Sequence, residues 1–67
     1  MERVAVSSSR VSSVGWANNI LEVEFKGGAV YHYFDVSRSE YESLLNASSI
    51  GHQISVIDKA HHYARII

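Results

Sequence analysis

Asn18-Asn19 sits between two short runs whose apolar residues alternate in step, and no other feature constrains the fold of this chain as strongly. Val11, Val14 and Trp16 precede the pair; Leu21, Val23 and Phe25 follow it, with Glu22 and Glu24 between them. A period of two over residues 20–25 is that of a strand with one buried face. Asn tolerates positive φ better than most residues, so the pair suits a two-residue hairpin turn that joins Ala17 to Ile20, Trp16 to Leu21 and Val14 to Val23. Apolar then faces apolar. A slip of one residue would set Trp16 against a glutamate and split the apolar face.

A second turn is expected at Lys26-Gly27-Gly28-Ala29, followed by a strand in Val30-Tyr31-His32-Tyr33-Phe34. Loop length decides which face the tyrosines join. A three-residue loop with Gly28 as the bulge residue pairs Phe25 with Ala29, Val23 with Tyr31 and Leu21 with Tyr33, and sets His32 opposite Glu22. Loops of two or four residues reverse the parity and push His32 into the apolar face. Burying an unpartnered imidazole would cost about 1–3 kcal/mol, whereas tyrosines accept burial once their hydroxyls reach the rim, which selects the three-residue loop.

Ser37-Arg38-Ser39-Glu40 has capping-box spacing and starts a helix near residues 37–47, with Tyr41, Leu44 and Leu45 on one stripe. Asn46 to Gly51 is a breaker cluster. Ile54, Val56, Ile57 and Ala60 fit a second, weaker helix near 51–60 only in part, since Ile and Val are mediocre helix formers. Tyr63 to Ile67 is read as a last edge strand. The expected fold is α+β: a small antiparallel meander of about three central strands, packed by one or two helices, with a C-terminal edge strand.

The chain has 67 residues, which fits a single domain spanning 1–67, and it has no cysteine to staple the fold or bind zinc. Hydrophobic residues make up 46% and charged residues 19%, a globular balance rather than a disordered one. The N-terminal stretch is too short and polar for a signal peptide, and no apolar run approaches membrane-spanning length, so a cytoplasmic location with no membrane partner is expected. A formal net charge of −1 leaves no global positive field for phosphate.

Several residues together resemble the KTSC family, the lysyl-tRNA-synthetase C-terminal type of domain, which occurs both appended to synthetases and as stand-alone bacterial proteins. The matching pieces are Ser8-Ser9, Val14-Gly15-Trp16, Leu21-Glu22-Val23-Glu24-Phe25, the glycine turn and Tyr31-His32-Tyr33, whose Tyr-x-Tyr is the family hallmark. Val36, Tyr41, Leu44-Leu45, Ala47-x-Ser49-x-Gly51 and Tyr63-Ala64-Arg65-Ile66 continue the likeness. Two departures stand out. Ser37 replaces a usual proline, and Ile54-Ser55-Val56-Ile57-Asp58 is less aromatic and basic than in relatives. Attachment to a tRNA synthetase implies RNA or tRNA as partner.

Tyr31 and Tyr33 lie two apart on a strand, about 7 Å from each other on one face, a spacing that suits either two stacked bases or two core aromatics. Arg3, Arg10, Lys26, Arg38, Lys59 and Arg65 are scattered; Lys59, His61, His62 and Arg65 form the nearest thing to a basic patch. His52, Asp58, His61 and His62 lack metal-ligand spacing, so neither metal nor cofactor is expected. Ser7-Ser8-Ser9 has no nucleophile elbow, Glu22 and Glu24 belong to a solvent stripe, and a chain this small offers little room for a pocket of about 300 Å³. The expectation is a non-catalytic RNA-binding module using Tyr31, Tyr33, Lys26, Lys59, His62 and Arg65. The alternative is a protein-interaction or homodimerisation module built on a free sheet edge.

Overall fold

The two hairpin turns form as their residues dictate. In the computed structural model, which describes residues 1–67, Asn18 and Asn19 both take left-handed φ values of 52° and 62°, joining β2 (Val11–Ala17) to β3 (Ile20–Phe25). Ala17 pairs with Ile20, Trp16 with Leu21 and Val14 with Val23. Gly27 and Gly28 turn the chain at φ 104° and 101° into β4 (Val30–Tyr33). The three-residue loop is the one selected: the Phe25 amide donates to the Ala29 carbonyl, Val23 pairs with Tyr31, Leu21 with Tyr33, and Glu22 with His32.

The meander has five strands rather than the expected four, because residues Arg3–Ala5 form an additional strand, β1, beside β2. A Cβ on Gly15 would collide with the Glu2 backbone carbonyl, so the bare glycine lets the N-terminal backbone close on β2. A bulge between Val11 and Ser13 re-aims Val11 so that it shares the buried face with Val14, three residues away.

Two helices separate β4 from β5 (Tyr63–Arg65), which adds antiparallel to β4 and completes the order β1-β2-β3-β4-β5. The first, α1 (Arg38–Leu45), starts on the full capping box: the Ser37 hydroxyl accepts from the Glu40 amide and the Glu40 carboxylate accepts from the Ser37 amide. The second, α2 (Ile50–Ala60), is capped by Ser49 and buries Ile50, Ile54 and Ile57 at helical spacing. That stripe compensates for the weak propensity of Ile and Val, since fully burying such side chains is worth about 1.5–3 kcal/mol each. Both helices contribute to one core with Val11, Val14, Leu21, Val23, Tyr33 and Val36. Trp16 closes its edge, its indole N–H donating to the Val36 carbonyl at 2.8 Å and its ring stacking on Tyr41.

The opposite sheet face is polar. Arg3, Gly15, Glu22 and His32 form a row across β1 to β4, tied by Arg3–Glu22 at 3.4 Å and His32–Glu22 at 2.8 Å. No helix is long and apolar enough to cross a membrane.

Candidate functional site

The helices do not cover the whole inner face of the sheet. Between the β3–β4–β5 end and α2 lies an open cleft of about 480 Å³, lined chiefly by Phe25, Tyr31, Tyr33 and Tyr63 from the sheet and by Asp58 and Lys59 from α2. The small chain therefore does provide a sizeable hollow, because a sheet and a helix diverging at one end make an open groove without an enclosed cavity.

Register builds its aromatic wall. Tyr31 stands opposite Arg65, and Tyr33 opposite Tyr63, so these four side chains share one face. Phe25 meets Tyr31 edge-on at 5.5 Å, Tyr31 stacks on Tyr33 at 6.4 Å, and Tyr63 tilts against both at 5.8 and 5.7 Å. The two hallmark tyrosines differ in burial. Tyr33 is a core residue, 2% exposed, whose hydroxyl donates to Asp58 Oδ1 at 3.0 Å. Burial first, then the bond to and charge of Asp58, push its phenol well above the usual tyrosine range, so it remains a proton donor. Tyr31 is half-buried and presents to the cleft, and Tyr63 is 53% exposed.

Folding also sorts the cations. Arg3 and Arg38 are paired with Glu22 and Glu42, whereas Arg10, Lys26, Lys59 and Arg65 pair with no Asp or Glu side chain. Arg10 and Lys59 line the cleft. Lys26, whose amide donates to the Arg10 carbonyl at 2.9 Å, and Arg65, across from Tyr31 with its Nε–H on the Ile67 main-chain oxygen, are exposed and do not line it. Arg10, absent from the expected set, is the residue sequence reasoning missed; its ties to Gly51 and Ser55 span 41 and 45 residues, and no local pattern carries that.

The C-terminal basic cluster is only partly available. His61 caps the end of α2 and turns inward, its ring nitrogens 2.8 Å from the Phe34 carbonyl and 2.8 Å from Glu40 Oε2. Burial opposes the charge of Glu40, but the bonds from His61 and Ser37 outweigh it and hold the carboxyl below its ordinary 4.5. His62 is exposed in the connector before β5 and does not line the cleft.

Comparison with known proteins places these features in a family. The family model described as the KTSC domain matches residues 7–56. The chain is 42% identical over 65 residues to an uncharacterized protein of Stutzerimonas stutzeri, covering 94% of this chain and 92% of that protein. It is 38% identical over 56 residues to a protein of Tsukamurella paurometabola, covering 81% and 84%. The crystal structure of a KTSC domain protein from Yersinia pestis has the same fold, with a TM-score of 0.90, 31% identity, and coverage of 98% of this chain and 97% of that one.

Proposed function

The chain belongs to the KTSC domain family, and we propose that it is a non-catalytic module that binds single-stranded RNA in the cleft between β4 and α2. The observation that carries this reading is the lining of the cleft: in a chain of net charge −1, Arg10 and Lys59, neither paired with an Asp or Glu side chain, stand on its walls together with Tyr31 and Tyr63. Single-stranded RNA offers unstacked bases with phosphates between them, the two groups that such a cleft complements. Stacking on an aromatic side chain is worth about 1–3 kcal/mol per base, and Tyr31 and Tyr63 line the cleft, Tyr63 being 53% exposed. Lys26, Lys59 and Arg65 supply backbone contacts. Anisotropy of a labelled single-stranded RNA tests this: binding that weakens with salt and is lost in a folded Tyr31→Ala variant supports it, and salt-independent binding contradicts it.

A second reading has its own observation. Val4 on the free edge of the sheet and Leu45 at the end of α1 are 47% and 40% exposed and line a shared groove with Val6 and Ala47. Self-association through this edge would cover it. A monomeric mass at all concentrations contradicts that version.

A further inference from the structure

We infer that Arg10 anchors a phosphate in a nucleotide-sized site, with the base against Tyr31 in the aromatic cleft and the phosphate in an adjoining polar hollow on the far side of Arg10. This rests on the RNA-binding reading and deepens it by naming the ligand unit and the residue that holds its charge. A second hollow of about 420 Å³ abuts the first, and Arg10 and Ser55 line both. Its character is the opposite of the cleft's: Ser7, Ser9, Ser48, Ser49 and His52 are among its walls, and Ile50 is its sole hydrophobic residue. An apolar aromatic hollow joined to a polar one across a guanidinium matches a base joined to its phosphate.

The guanidinium is positioned without being neutralised. The Ser8 hydroxyl accepts from the Arg10 and Val11 amides at 3.2 and 3.3 Å and fixes the turn ahead of β2. Arg10 Nη1 then donates to the Gly51 carbonyl at 3.2 Å and to Ser55 Oγ at 2.9 Å. These acceptors are neutral, no carboxylate pairs with Arg10, and its Nε–H and Nη2 protons have no protein partner. A guanidinium held this way has lost its side-chain freedom before binding and keeps both charge and donors for an anion, the arrangement that makes Arg–phosphate bonds strong.

The test is an amide chemical-shift titration of the intact chain at low salt with adenosine, adenosine 5′-monophosphate and inorganic phosphate as separate probes. The nucleotide is expected to bind about tenfold more tightly than the nucleoside, as a charge-assisted contact implies, with shifts at Tyr31, Arg10 and Ser55 together. Arg10→Gln should remove that gain, and Arg10→Lys should restore part of it. Should Arg10→Gln not fold, raised salt on the wild-type chain gives the same readout, since the gain, but not adenosine binding, must shrink. Equal affinity for adenosine and its monophosphate, or an undiminished gain in folded Arg10→Gln, overturns the role of Arg10 and leaves the stacking reading intact. Phosphate binding at Arg10 with no shift of Tyr31 by any probe overturns the joined site. Absence of shifts from all three probes and from single-stranded RNA overturns the RNA-binding reading itself.

Discussion

The Tyr33 hydroxyl donates to Asp58 Oδ1 at 3.0 Å, which ties the most deeply buried aromatic of the sheet to the helix that forms the far wall of the cleft. On the same strand Tyr31 is only half-buried and lines the cleft.

That difference predicts opposite phenotypes. Tyr33→Phe should cost about 0.5–1.5 kcal/mol, the worth of one hydrogen bond. Tyr33→Ala should cost about 3–5 kcal/mol through the cavity it leaves. Tyr31→Ala, at a half-buried position, should cost less than Tyr33→Ala and keep the fold while losing RNA affinity. Urea denaturation and binding of the same variants separate the two roles.

Gly15→Ala should destabilise the first strand selectively, because the added methyl meets the Glu2 carbonyl and the neighbouring Arg3 side chain. The cost expected for such overpacking is about 1–3 kcal/mol. Hydrogen exchange provides the check: amides of Arg3–Ala5 should lose protection while those of β3 and β4 retain it.

The Asn18-Asn19 turn should improve on substitution. Both residues occupy the left-handed region, where a two-residue hairpin turn favours glycine at the second position. Asn19→Gly should leave stability unchanged or raise it, and Asn19→Val should lower it by about 1–2 kcal/mol. Thermal melts of the two variants decide this.

Acid should weaken the contact between α1 and the α2 terminus. Glu40 is held below its ordinary 4.5, so its carboxylate binds protons less readily folded than unfolded. The stability it supplies is complete above that ordinary value and is lost as pH falls through the lower folded one. Wild type should therefore lose stability over this range more steeply than Glu40→Gln; parallel curves for the two would contradict the role given to His61 and Ser37.

Both hairpins, the capping box and the family resemblance were legible in the sequence because each depends on near neighbours. Period-two alternation and loop length leave only one register that keeps Glu22 opposite His32 and out of the core. The second helix was underestimated, since Ile50 was counted with the breaker cluster although it begins the stripe continued by Ile54 and Ile57. The first strand and the place of Arg10 were invisible for a shared reason. Val4 pairs with Val14 only through the close backbone approach at Gly15, and Arg10 meets Ser55 only once β2 and α2 are packed. Such contacts belong to topology, and one-dimensional spacing does not encode them in readable form.

The most direct test of the central claim is an amide chemical-shift map of the labelled chain titrated with a mixed single-stranded RNA at low and raised salt. The predicted result is a set of shifts confined to Arg10, Lys26, Tyr31, Ser55, Lys59, Tyr63 and Arg65, weakening as salt rises. Shifts on the polar row of Arg3, Glu22 and His32 instead, or none at submillimolar RNA, would contradict it.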